Sequence, residues 1–68
     1  MDIYAKAGTK VKFLDTNGYD NDLERAREYF KKDDVLTVTK TVVGGFSTDV
    51  YFEECPGEYF NSVMFTEI

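Results

Sequence analysis

The densest run of oxygen ligands in this sequence is Asp15-Thr-Asn-Gly-Tyr-Asp-Asn-Asp22. Carboxylates and amides at such spacing suit a hard cation such as Ca²⁺. The helix–loop–helix calcium loop, however, needs glycine at its sixth position and glutamate at its twelfth. Counted from Asp15, those positions hold Asp20 and Ala26. The run therefore reads as a turn at Asn17-Gly18 that leads into a capped helix. Nucleophilic chemistry is equally poorly provided for. The chain has no histidine and one cysteine, Cys55. Without histidine, the commonest general base and the commonest metal ligand are both missing. Cys55 follows Glu53-Glu54, whose charges would raise its pKa. Glu53 and Glu54 are adjacent on a strand, so they point to opposite faces and cannot act as a carboxylate pair. Gly44-Gly45 lies between strands and opens no helix, so it is no phosphate loop. The expectation is a protein that is not an enzyme, with no metal and no cofactor.

What remains is a set of side chains suited to contact. Phe46, Tyr51, Tyr59 and Met64 are candidates for a surface of aromatics and methionine. Rigid aromatics anchor interfaces, and methionine adapts to partners. A small domain also exposes rings when its core is full, and the sequence alone does not separate the two. Asp20 and Asp22 would add negative charge beside such a surface and favour a basic segment of a partner.

The totals bound the setting. A chain of 68 residues suffices for one small domain, expected to span 1–68, with 1–9 flexible or loosely docked. Such a domain buries only about 60% of its unfolded surface, so its core must be efficient. Six Phe and five Tyr provide that area. A lone cysteine cannot form an internal disulfide, no apolar run approaches a membrane span, and no signal pattern opens the chain. A soluble cytoplasmic protein, monomeric or weakly dimeric, is the expectation. Formal charge is −5, from 8 basic and 13 acidic side chains. That disfavours direct binding of nucleic acid.

The elements that must position these residues follow from periodicity. Lys10-Val-Lys-Phe-Leu14 alternates and reads as a first strand, its lysines suited to a sheet edge. Asn21 and Glu24 form a capping box for a helix from Asp22 to about Lys32. Leu23, Ala26 and Phe30 share one helical face and should pack on the strands. Asp34–Val43 and Phe46–Glu54 read as an antiparallel hairpin about Gly44-Gly45, glycines that a tight turn would place at positive φ. Leu36 and Val38 share a face, as do Thr48, Val50 and Phe52. Cys55-Pro-Gly57 reads as a turn and Glu58–Ser62 as a short 3₁₀ turn. Val63–Ile68 reads as a last strand with Val63 and Phe65 inward and Met64 outward. The same count puts Phe46 inward unless the chain twists after Gly45.

Two pieces resemble an SH3 domain. Lys31-Lys-Asp-Asp-Val-Leu-Thr-Val38 is similar to the charged turn before the first long central strand. Gly57-Glu-Tyr-Phe-Asn-Ser-Val-Met-Phe-Thr-Glu-Ile68 is similar to the closing segment, which passes through a 3₁₀ turn into the final strand. The resemblance implies a small five-stranded antiparallel barrel, mainly β with one short α-helix. It also implies a ligand groove. Phe46 falls at the ligand-binding Trp of those domains, Asn61 at the closing Pro and Met64 at a ligand-contacting Tyr. The helix occupies the place of the acidic hairpin loop, so a proline-rich ligand is not implied. The hairpin and tail also resemble a group of small phage and prophage proteins.

Two functions are compatible with these features. One is a protein-binding module of phage or prophage type that acts through the aromatic and methionine surface. The other is an acidic decoy that occupies a nucleic-acid-binding site on a host protein. An apolar groove at Phe46 and Met64 favours the first, and clustered carboxylates on one face favour the second.

Overall fold

The computed structural model describes all 68 residues. Five antiparallel strands and one helix make up the architecture: β1 (Lys10–Phe13), α1 (Asp20–Arg27), β2 (Val35–Val43), β3 (Thr48–Phe52), β4 (Cys55–Asn61) and β5 (Phe65–Glu67). A 3₁₀ turn, Ser62–Met64, joins β4 to β5. The strand order is β4-β3-β2-β1-β5. The expected class, mainly β with one short helix, is the one observed.

The sheet is strongly curled. Laid flat, its two edge strands would stand about 19 Å apart, four steps of roughly 4.8 Å. Yet the Phe60 ring on β4 lies 6.4 Å from the Phe65 ring on β5, and Phe52 lies 4.7 Å from Phe65. The irregularity in β2 between Val38 and Lys40 helps the strand bend. Its first half pairs with β1 and its second half with β3. Inside the curl, Val11, Phe13, Leu36, Val38, Val50, Phe52, Phe60 and Phe65 are all buried, joined by Ala26, Phe30 and Met64.

Several local expectations need correction. β1 is not an edge strand: it lies between β2 and β5. The lysines on its outer face have partners instead, Lys10 on the Thr37 hydroxyl and Lys12 on Asp33 at 3.8 Å. The helix runs earlier and stops sooner than the capping box suggests. Leu23 N–H donates to Tyr19 C=O, which sets the start, and no side chain caps it. At the other end, Glu28 and Tyr29 donate to carbonyls three residues back, at Arg25 and Ala26. This tightened turn carries Phe30 into the core, 4.9 Å from the Phe60 ring.

The hairpin turns one residue later than Gly44-Gly45, about Gly45-Phe46. Gly44 N–H donates to Ser47 C=O at 2.9 Å, and neither Gly44 nor Gly45 has positive φ. Phe46 therefore sits in the loop, where strand parity does not apply. Cys55-Pro-Gly57 is not a turn but the start of β4. The reversal falls at Glu53-Glu54, because Glu54 is anchored. Its carboxylate accepts from the Thr37 N–H at 2.7 Å and the Thr37 hydroxyl at 2.8 Å. The residues after Cys55 then bulge out of the ladder, with Gly57 at φ 86°.

Residues 1–9 are docked. The Met1 amino group donates to Phe65 C=O at 3.0 Å, Gly8 N–H donates to Val38 C=O at 2.8 Å, and Met1 and Ala5 pack on the core.

Candidate functional site

The 3₁₀ turn decides which closing residue meets solvent. Asn61 caps it, its Oδ1 accepting from Val63 N–H at 3.3 Å. Three residues of 3₁₀ break the alternation expected of a strand. Val63 turns outward, 45% exposed, and Met64 turns inward, fully buried. Met64 packs so closely on Gly18 that a Cβ there would stand 2.6 Å from its Sδ. The expectation that Met64 forms part of the contact surface is therefore corrected: it belongs to the core, and Val63 takes the surface position. Phe65 is inward, as expected.

Phe46 and Asn61 do come together. They line one cleft of about 320 Å³ with Asn17, Gly18, Tyr19, Ser47 and Val63. The hairpin loop supplies Phe46 and Ser47, the loop before α1 supplies Asn17, Gly18 and Tyr19, and the 3₁₀ turn supplies Asn61 and Val63. Phe46 is fully exposed and Tyr19 is 71% exposed. The loop before α1 holds its shape through positive φ at Asp15 and Asn17, and through the ion pair of Asp15 with Arg27.

Charge at the cleft is acidic. Asp22 accepts from Asn61 Nδ2 at 3.2 Å. Asp49 stands opposite Asn61 in the β3–β4 register. Asp20 begins α1 beside Tyr19 and is exposed, outside the cleft lining. None of these three carboxylates has an ion-pair partner, since the ion pairs are Lys12–Asp33, Arg25–Glu58 and Arg27–Asp15. Both cations of α1 are engaged: Arg25 by Glu58 at 3.1 Å and by the Tyr59 carbonyl, and Arg27 by Asp15.

Tyr51 and Tyr59 lie elsewhere. They face each other across β3 and β4 on the outer side of the sheet, with ring centroids 5.9 Å apart. Lys40 lies 4.7 Å above the Tyr51 ring, and Arg25 lies 5.4 Å from the Tyr59 ring. Tyr51 lines a second cleft of about 330 Å³ with Lys40, Glu53 and Pro56. The seven residues named from the sequence thus divide: Phe46 and Asn61 line the cleft, Asp22 and Asp20 stand beside it, Tyr51 and Tyr59 form a separate pair, and Met64 is in the core. Sequence reading missed Tyr19 and Val63. Tyr19 could have been found, as an aromatic directly after a turn dipeptide has no strand or helix face to bury it.

Cys55 is half-buried at the rim of the core. Burial raises its thiol pKa and the Glu58 charge adds to that, with Arg25 opposing. Glu58, not Glu53-Glu54, is the acid responsible.

A family model described as bacteriophage T4 protein Y07B matches residues 2–68. The chain belongs to this family. The phage lineage expected from the hairpin and tail is thereby established for nearly the whole sequence. Searches of curated proteins and of solved structures returned no match. No helix is long and apolar enough to cross a membrane.

Proposed function

We propose that this phage protein is a small SH3-like binding module, which takes a basic segment of a partner protein in the cleft between Phe46, Tyr19 and Val63. The observation that carries the reading is Phe46, a fully exposed phenylalanine that the core does not use. Two aromatic walls give apolar area, and Asn17, Ser47 and Asn61 offer directional polar groups. The unpaired carboxylates of Asp20, Asp22 and Asp49 favour a positive partner and would speed its association. The module acts in the cytoplasm of the infected cell, without catalysis, cofactor or direct contact with nucleic acid.

The acidic decoy draws on a different observation. Asp20 and Glu24 on α1 and Glu28 at its C-terminal cap are exposed and recur every four residues. They make one acidic stripe on the outer side of the helix.

Affinity capture from phage-infected cells, followed by calorimetry with the captured partner, tests both. Phe46→Ala should weaken binding by about 2 kcal/mol or more, as loss of an aromatic anchor does. Added salt should mainly slow association. Unchanged affinity for Phe46→Ala, with full loss on charge reversal of Glu24 and Glu28, would reject the cleft and support the decoy.

A further inference from the structure

The sheet has three lengths of strand edge, and two of them are covered. β5 is covered by the N-terminal arm, through Met1 on Phe65 C=O and Asp2 N–H on Glu67. β4 is blunted by Pro56, which has no N–H, and by Arg25 on the Tyr59 carbonyl. The third is the second half of β2. β1 ends its pairing near Val38, while β2 runs on to Val43 beside β3 alone.

Ladder geometry identifies the open groups. Gly44 N–H bonds to Ser47 C=O, so the pair Gly44/Ser47 is a hydrogen-bonded one. Counting back by two, Val42/Asp49 and Lys40/Tyr51 are also hydrogen-bonded pairs. Val43 and Thr41 alternate with them, so their N–H and C=O groups point away from β3. No backbone hydrogen bond from the N-terminal arm meets them; the arm reaches this edge only where the Thr41 hydroxyl donates to Ile3 C=O. The same stretch exposes Val42 and Val43, each 47%. An uncovered edge with β-branched apolar side chains is a template for another strand.

The geometry points to a second copy of this chain as the occupant, paired antiparallel along Thr41–Val43 about a two-fold axis at Val42. The edge is self-complementary. Thr41 of one copy meets Val43 of the other in two hydrogen-bonded pairs, and Val42 meets Val42. Lys40 falls opposite Gly44 of the second copy, where no side chain opposes it. No like charges face each other across the axis. The open run is only about 10 Å long, three residues at roughly 3.4 Å each. The buried area is accordingly well below the roughly 1,200 Å² of a stable interface, and the dimer is weak.

Sedimentation equilibrium and amide hydrogen exchange on the whole chain test this. Between about 20 μM and about 1 mM, mass should rise toward the dimer, the range a small interface implies. Over that range the Thr41 and Val43 amides should gain protection, while those of Lys40 and Val42, already bonded to β3, should not change. Val42→Lys places two ammonium groups opposite each other in the dimer but faces Asp49 within one chain. It should weaken dimerisation by about tenfold or more. Val43→Pro removes an outward N–H that its own sheet does not use and should do the same; β3 amide protection reports whether it has folded. A chain that stays monomeric at about 1 mM overturns the proposal. So does a dimer that survives both variants, or one that is lost only in Phe46→Ala, which would place the contact at the cleft.

Discussion

Six phenylalanines divide five to one between two regions of this molecule. Phe13, Phe30, Phe52, Phe60 and Phe65 are buried together, with ring centroids as close as 4.7 Å and several edge-on contacts. Phe46 is fully exposed at the tip of the β2–β3 hairpin. The residue type is the same, and the backbone decides the outcome. Four of the five sit on strands, where parity directs alternate side chains into the curl. Phe30 follows a helix whose tightened last turn delivers it there. Phe46 lies in the Gly44–Ser47 loop, where no parity operates and no element covers it. The core is complete without it, so its apolar area is free to serve an external contact.

The largest effect should come from inside the cluster. Phe52 touches Phe30, Phe60 and Phe65. Phe52→Ala should cost about 3–5 kcal/mol, seen as a lower midpoint in denaturant unfolding. A loss below about 1 kcal/mol would mean the five rings are not one packed unit.

Met64 sharpens the boundary between the two regions. It lies next in sequence to an exposed residue, Val63, yet is fully buried. Met64→Ala should destabilise by about 2–4 kcal/mol and affect binding only through folding. Gly18→Ala should cost about 1 kcal/mol, because its Cβ would press on the Met64 side chain. In the double variant the new methyl enters the space that methionine leaves. The double variant should then cost less than the sum of the two single variants by at least about 0.5 kcal/mol. Strict additivity would place Met64 away from Gly18.

These residues also mark how far the sequence could be read. The inward sets Leu36/Val38 and Thr48/Val50/Phe52 were legible, because each lies within one uninterrupted strand. So was the inward direction of Leu23, Ala26 and Phe30, although Phe30 reaches the core from the turn after the helix. Met64 was not, because a three-residue 3₁₀ turn shifts the phase by which strand parity is counted. The interior place of β1 was hidden for another reason. Its second neighbour, β5, is the last strand, and no local pattern announces so distant a pairing. β4 was taken for a turn because Pro56 and Gly57 are turn formers. The anchor that moves the reversal to Glu53-Glu54 lies on Thr37, in another strand. Of the residues named from the sequence, Phe46 and Asn61 lie together at the cleft, with Asp22 bonded to Asn61. Tyr51 and Tyr59 were grouped with them by residue type alone, and type does not tell which face of the sheet an aromatic shares.

Glu54 separates the polar pinning of the sheet from its aromatic core. Burial pulls its carboxyl pKa upward, but the Thr37 N–H and hydroxyl, its own N–H and the Lys10 charge outweigh that, and the net shift is downward. A carboxyl with a lowered folded pKa contributes stability above the ordinary glutamate value of about 4.3 and loses it as pH falls through the lower folded value. Stability should therefore decline from pH ~5 to pH ~3, and Glu54→Gln should flatten part of that decline. At neutral pH the same variant should cost about 1 kcal/mol, since the group is exposed and its hydrogen bonds compete with water. An unaltered pH profile in Glu54→Gln would assign the decline to other carboxylates.

The smallest effect on stability should belong to the exposed phenylalanine. Phe46→Ala removes a side chain that belongs to no core cluster and whose ring has no partner among the aromatic pairs. The unfolded chain exposes that ring as well, so neither state gains by it. The unfolding free energy should change by less than about 0.5 kcal/mol, as at other uncommitted surface positions. Phe46→Ser should behave alike, because the position is open to solvent and a new hydroxyl meets water. The pair makes the comparison decisive. If either variant loses more than about 1 kcal/mol, the ring closes over Tyr19 and Val63 in solution and is a sixth member of the core. If both leave stability unchanged while partner binding falls, the division of five and one separates what holds the fold from what meets the partner.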